Sequence, residues 1–330
     1  MKTLALLLAA LGFLVAVVIV AARLGFFFHS DEVLRERYAN DGSQFITIDG
    51  VPLRYKDEGS GPPVILIHGA FGNLNMWNAW TEALKADYRV IRIDNPPEGL
   101  SGPDPSGQHG HDRSGELIAM LADELGLEEF ALGGTSRGAV VAYRYAAKHP
   151  ERVTHLLLVN TPVLPQDSPE LSTRLRALFW VGGLLGGYQP ELYFRVWLEE
   201  IIFFDPSRVT DELIAEYAAF NNREGKAERS RIVSAGAKRD VEEISRLIGS
   251  ISAPTLIIAS QTNSALALED QRAMEDMFSS TVPTFHLIQD GGHFLPIEKG
   301  QETGAMAKDF LMSSQLGETT TGASSDNGFQ

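Results

Sequence analysis

The chain has 330 residues, 44% of them hydrophobic, enough to bury the core of a catalytic domain carrying one insertion and too long for a short binding module. Lysine and arginine number 28 against 43 aspartates and glutamates, and the net charge of -15 repels nucleic acid and anionic lipid surfaces. With no cysteine, disulfides, thiolate metal sites and a cysteine nucleophile are excluded.

The N-terminus opens on Lys2 and an uncharged apolar run over residues 4–22, continued past Arg23 by residues 24–28. A bilayer-spanning helix needs about 20 apolar residues and a cleavable signal only about 7–15, so the length predicts a single membrane anchor over residues 1–28. Val20-Ala21-Ala22 also fits a small-x-small cleavage pattern, which leaves a secreted or periplasmic chain as the alternative. Lys2 lies on one side of the run and Arg23, Arg35 and Arg37 on the other; the orientation expected is an inside N-terminus with the rest of the chain exported.

From about residue 44 the pattern alternates through Phe45, Thr47, Val51, Leu53 and Tyr55 around Asp49-Gly50, which reads as a β-hairpin. Short continuous apolar runs follow at 64–67, 90–93, 130–132 and 156–159, separated by amphipathic stretches of helical length. Runs without alternation are strands buried on both faces, so the rhythm predicts a doubly wound, mostly parallel α/β sheet. It stops after Thr161 and resumes with strands at 255–259 and 284–288. Residues 162–248, rich in aromatics and leucine at helical spacing, read as a helical insertion into one domain made of residues 29–161 and 249–312. Residues 313–330, rich in serine, threonine and glycine, read as a disordered tail.

Directly after the 130–132 run comes Gly134-Thr135-Ser136-Arg137-Gly138, then a helical pattern. A G-x-S-x-G turn between a buried strand and a helix forces the serine backbone into strain and holds Ser136 Oγ clear of the sheet; the Arg137 amide at the helix start can then donate to an oxyanion. His68-Gly69-Ala70-Phe71-Gly72 follows an earlier buried strand, and its glycines let backbone N–H groups approach a substrate oxygen. With Asp94-Asn95-Pro96-Pro97-Glu98-Gly99-Leu100-Ser101 and Gly291-Gly292-His293-Phe294, these motifs resemble the α/β-hydrolase fold family, specifically its cap-bearing serine hydrolase and esterase-like branch, over roughly residues 44–312.

That resemblance implies Ser136 as nucleophile, His293 as general base, and Ala70 with Arg137 as oxyanion donors, Phe71 being a lesser candidate. It makes His68 and Asp94 structural and the insertion a cap. Three positions depart from the family: Pro97 replaces the first glycine of the loop from Asp94, and in the segment from Pro254, Ser260 replaces a glycine and Asn263 stands where the catalytic aspartate is expected; Asn160, at the alternative acid position, is also an amide. Asn263 as orienter of the imidazole comes first, then a substitute carboxylate from Glu269 or Asp270, then loss of catalysis. In a serine protease the equivalent aspartate-to-asparagine change costs about 10⁴ in turnover.

The function implied is cleavage of a carboxylic ester or lactone through a Ser136 acyl-enzyme. The alternatives are a catalytically weak ligand-binding protein on the same fold, or hydrolysis of C–C, thioester or peracid bonds. Phe179, Trp180, Tyr188, Tyr193, Phe194, Trp197, Phe203 and Phe204 are available to roof the site and favour an apolar or aromatic acyl group. Arg137 is expected to pair with an acid or to meet an anionic substrate. The partners expected are a small-molecule substrate and, through the N-terminal helix, a membrane, with no nucleic acid, metal or cofactor.

Overall fold

A computed structural model describes residues 1–39, 42–165, 169–235 and 240–321. Eight strands form one sheet: β1 (Gln44–Ile48), β2 (Val51–Gly59), β3 (Pro63–Ile67), β4 (Arg89–Ile93), β5 (Phe130–Thr135), β6 (Val153–Val159), β7 (Thr255–Ser260) and β8 (Thr284–Ile288), in the order β1-β2-β4-β3-β5-β6-β7-β8. Only the β1–β2 and β2–β4 pairs are antiparallel; the other five pairs are parallel. The β1–β2 hairpin closes between Ile48 and Val51, with Asp49 at φ 47° and Gly50 at φ 78°, the two positive angles that a two-residue type I′ turn requires.

Before the sheet lie α1 (Lys2–Arg23) and α2 (Asp31–Tyr38); between its strands lie α3 (Asn78–Leu84), α4 (His111–Glu124) and α5 (Arg137–Lys148). Among the described residues five α-helices join β6 to β7: α6 (Thr173–Leu184), α7 (Glu191–Trp197), α8 (Asp211–Asn221), α9 (Lys226–Ala235) and α10 (Val241–Gly249), with a π-helical turn at Leu198–Ile202 after α7. The chain ends with α11 (Leu268–Met277), α12 (Leu295–Glu298) and α13 (Gly300–Thr321).

The continuous apolar runs are explained by burial on both sides. Ile65, Ile67, Leu132 and Ile257 face Leu121, Val141, Tyr145 and Ile248, while Val64, Leu66, Leu157 and Leu256 face Trp77, Trp80, Leu84 and Leu311. Since β5 pairs with β3 on one side and β6 on the other, the carboxyl ends of these strands open on a common edge, where ligands bind in sheets of this kind.

Two parts differ from the sequence reading. α1 is exposed and, with a mean hydropathy of 3.1, is the one helix among the described residues long and apolar enough to cross a membrane. It stops at Arg23, however, and residues 24–28 do not prolong it: Phe27 and Phe28 turn to pack on Tyr188, and Arg23 Nε donates to the Leu184 carbonyl at 3.0 Å. At the other end α13 continues to Thr321 through residues read as tail, because extending a helix already nucleated by packing needs no new nucleus. Residues 322–330 of that tail lie outside the described residues.

Trp80 Nε1 donates to Thr303 Oγ1 at 2.8 Å and locks α3 to α13. Thr303→Val keeps the shape but orphans a buried donor, and is expected to cost about 1–3 kcal/mol, read as a lowered urea midpoint at unchanged slope.

Candidate active site

Between β5 and α5 the chain reverses within one residue, which sets Ser136 at φ 51° and ψ -120°. Such a conformation in a non-glycine residue costs about 1–3 kcal/mol. The flanking glycines make it possible: a methyl on Gly134 would collide with the Gly138 backbone, and one on Gly138 with the Ile67 carbonyl. Ser136 N–H is held by the Val159 carbonyl at 3.0 Å, so the neighbouring strand β6 fixes the turn. The Ala70 and Arg137 amides take no acceptor among the described residues, whereas Phe71 N–H donates to Glu98 Oε1 at 2.5 Å. That removes Phe71 from the candidate oxyanion donors. Glu98 Oε2 also receives Arg137 Nη1 at 2.8 Å, which meets the expectation of an acidic partner for that arginine.

His293 brings Nε2 to 3.1 Å from Ser136 Oγ. Backbone ties hold its loop. His293 N–H donates to the Ile202 carbonyl at 2.6 Å, and Gly292 N–H to Glu298 Oε2 at 2.6 Å. Buried Asn160, at φ 43°, donates Nδ2 to the carbonyls of Gly292 at 3.1 Å and His293 at 2.9 Å, and its Oδ1 accepts Ser260 N–H at 2.9 Å. Asn160 therefore fastens the loop and does not address the imidazole. Glu298 receives Asp205 N–H as well, at 2.7 Å, bridging the histidine loop to the chain after the π-helical turn. Glu98 lies within the Asp94–Ser101 motif but is not one of its marked positions, and no motif marks Glu298; their roles come from the backbone amides of Phe71, Gly292 and Asp205.

The ring's second nitrogen meets Asn263, whose Nδ2 lies 3.1 Å from His293 Nδ1. Asn263 Oδ1 accepts Ala265 N–H at 3.0 Å, so turning the amide over would set an N–H₂ against an N–H. The amide thus donates to Nδ1 and leaves the ring proton on Nε2, facing Ser136. Neither substitute carboxylate reaches the ring. Asp270 is buried and accepts Val163 N–H at 2.7 Å and Leu164 N–H at 2.9 Å, and Glu269 is exposed on α11. With no carboxylate beside it, burial lowers the His293 pKa to about 4.

Asp94 takes Leu74 N–H and Leu100 N–H at 2.7 Å each and Arg54 Nη1 at 3.3 Å, while His68 Nε2 accepts Asn95 N–H at 2.9 Å. Both are wholly buried and shape the loops under the site. An aromatic row runs from Phe294 through Trp197 to Phe71, with ring centroids 5.8 Å apart at each step. Of the aromatics expected as a roof, Phe179, Tyr193, Phe194 and Trp197 line a cavity of about 430 Å³ that Phe71 and Glu98 floor. Trp180 and Phe204 are exposed, Phe203 is buried in the core, and Tyr188 packs on the segment after α1.

The sheet order with a strained serine turn after β5 and a histidine loop after β8 defines an α/β-hydrolase fold. A family model described as alpha/beta hydrolase fold matches residues 62–193. The chain is similar to 2-hydroxymuconate semialdehyde hydrolase of Pseudomonas sp. (strain CF600), with 26% identity over 269 residues, 79% of this chain and 91% of that protein. It is also similar to the dihydrolipoyllysine-residue acetyltransferase component of the acetoin cleaving system of Cupriavidus necator, 26% identical over 272 residues, 81% of this chain and 68% of that protein. Among solved structures, a membrane phospholipase A described as a bacterial virulence factor superposes with a TM-score of 0.70 at 21% identity, covering 96% of this chain and 99% of that one. The chain has the α/β-hydrolase fold, and its matches in sequence and structure are similar to it over most of its length. Hydrolases recur among its sequence relatives, which supports an enzyme and, in general terms, a hydrolase.

Because the folded-state pKa of His293 lies below the ordinary value of 6.5, the unfolded chain binds a proton there that the folded chain refuses. Stability is therefore complete above pH 6.5 and falls as the pH drops toward 4, by about 3 kcal/mol from this residue. Urea unfolding across that window is expected to show the slope in the wild type and a flatter one in His293→Gln.

Proposed function

We infer that the protein is a serine hydrolase that cleaves a carboxylic ester or lactone through an acyl-enzyme on Ser136. The observation that carries this reading is the 3.1 Å approach of His293 Nε2 to Ser136 Oγ, on a strained turn beside two unengaged amides. His293 takes the Ser136 proton as Oγ adds to the carbonyl, and the Ala70 and Arg137 amides receive the oxyanion. The imidazolium then returns the proton to the leaving alkoxide, and water activated by the same ring releases the acid. Before the first step the ring proton must move from Nε2 to Nδ1, against the preference set by Asn263. An asparagine also leaves the imidazolium without a counter-charge, so leaving groups that need little protonation are favoured, and esters or lactones suit the site better than amides.

The helices over residues 162–248 act as a lid above a core of residues 29–161 and 249–312, and their aromatic lining favours an apolar acyl group. The chain is held in a membrane by α1, uncleaved, with the catalytic domain on the exported side. Support for retention comes from Ala22, which is buried where α1 meets the turn at Gly186. The 96% coverage by a membrane phospholipase fold, against about four-fifths of the chain for the sequence relatives, agrees with it.

A second reading, a ligand-binding protein with little turnover, is favoured by the Asn263 donor facing Nδ1. C–C bond hydrolysis, the chemistry of relatives such as the 2-hydroxy-6-oxo-6-phenylhexa-2,4-dienoate hydrolase of Comamonas testosteroni, is the alternative within catalysis.

Hydrolysis of p-nitrophenyl butyrate by the full chain separates these readings. Turnover is expected in the wild type and at background in Ser136→Ala. Asn263→Asp, whose carboxylate accepts from both Ala265 N–H and His293 Nδ1–H, is expected to raise kcat at neutral pH by about tenfold or more. Absence of Ser136-dependent turnover, together with no labelling by a fluorophosphonate, would establish the binding protein instead.

A further inference from the structure

The cavity under α6 and α7 is lined by Phe71, Phe179, Phe194 and Trp197, and its polar lining includes Glu98, Lys226 and Arg229. Standing three residues apart on α9, Lys226 and Arg229 share one helix face. Neither has a carboxylate partner among the described residues. Lys226 Nζ donates to Gln189 Oε1 at 2.6 Å and Asn222 Oδ1 at 3.4 Å, and Arg229 donates to the backbone carbonyls of Glu224 and Arg223.

The acids in the neighbourhood are already committed. Asp31 is held by Arg223, with Nη2 at 2.7 Å, and Glu98 by Arg137 and the Phe71 amide. Two cations with no carboxylate bonded to them therefore line a largely apolar cavity, in a chain whose net charge is -15. Leaving such groups desolvated and unpaired is unfavourable unless a ligand supplies the missing charge.

We propose that Lys226 and Arg229 form an anion subsite, so that the cavity takes a molecule bearing a carboxylate or phosphate beyond an apolar segment that reaches toward Ser136. Resting on the hydrolase reading, this makes the preferred substrate an ester with an anionic far end. Burial and the Arg229 charge lower the Lys226 pKa to about 7, and burial with the Arg223 charge lowers Arg229 to about 10, against Asp31 and Glu98, which act the other way on Arg229. The subsite therefore carries its full charge below neutrality and loses the Lys226 part above it, while an arriving anion restores it.

The test is equilibrium binding by calorimetry to full-length Ser136→Ala in neutral-lipid nanodiscs, which does not depend on turnover. Near pH 6, monomethyl suberate is expected to bind about tenfold or more tightly than dimethyl suberate. The preference is expected to shrink near pH 9 and to vanish in a Lys226→Met, Arg229→Met variant. Hexyl phosphate binding more tightly than the carboxylate would assign a phosphate-bearing substrate to the subsite, and weaker binding a carboxylic one. Equal affinity for the two suberates near pH 6, which requires no variant to fold, overturns the proposal, as does a preference that survives the double substitution. If the monoester is preferred but wild-type protein shows no Ser136-dependent hydrolysis, the subsite stands and the hydrolase reading falls.

Discussion

The reversal from β5 into α5 is the constraint around which the site is built. One residue must turn the chain from a strand in mid-sheet to a helix packed against it, and Ser136 takes φ 51° to do so. Relief of that strain would move Oγ, so the surroundings leave no room for it. Gly134 and Gly138 bring helix and strand into contact, β6 holds the Ser136 amide, and Gly69 passes close to its Cβ. A backbone angle that side chains avoid is kept by packing distributed over three strands.

His293 is positioned in a different manner. Where a carboxylate on Nδ1 would both aim the ring and charge-stabilise it, this chain aims the ring through its backbone. Asn160, Glu298 and the Ile202 carbonyl fix the peptide groups at 292 and 293, so the imidazole reaches Ser136 without an acid. Geometry and electrostatics are thereby separated: the distance to Ser136 is that of a hydrogen bond, while burial favours the neutral ring and the Asn263 amide, donating to Nδ1, favours the proton on the nitrogen that faces the serine.

Much of this was legible in the sequence where local rules decide. Asp49-Gly50 announces the hairpin, the unbroken runs at 64–67 and 156–159 announce strands covered on both faces, and G-x-S-x-G between strand and helix announces the turn at Ser136. What escaped reading depends on residues distant in the chain. Glu98 reads as part of a loop, yet it removes the Phe71 amide from the oxyanion candidates; Glu298 sits in a short helix and holds Gly292. Asp270 looked available as a spare acid because its spacing suits the next helix start, but the amides of 163 and 164 claim it. Lys226 and Arg229 gave no signal, since a cation lacking a partner is recognised only when the neighbouring acids have been assigned to others.

The hydrogen bond from His293 N–H to the Ile202 carbonyl has a consequence for how such a chain can diversify. The π-helical turn that ends in Ile202 follows directly on α7, whose Tyr193, Phe194 and Trp197 line the cavity, and it also supports the histidine loop. Gly292 lies against that carbonyl with no space for a methyl group. Changes on α6 and α9 can therefore reshape the cavity with Ser136 and His293 left in place, whereas insertions or deletions within 198–204 disturb the end of α7 and the histidine loop together. A lineage built on this scaffold has freedom to change the cavity lining and very little next to the histidine.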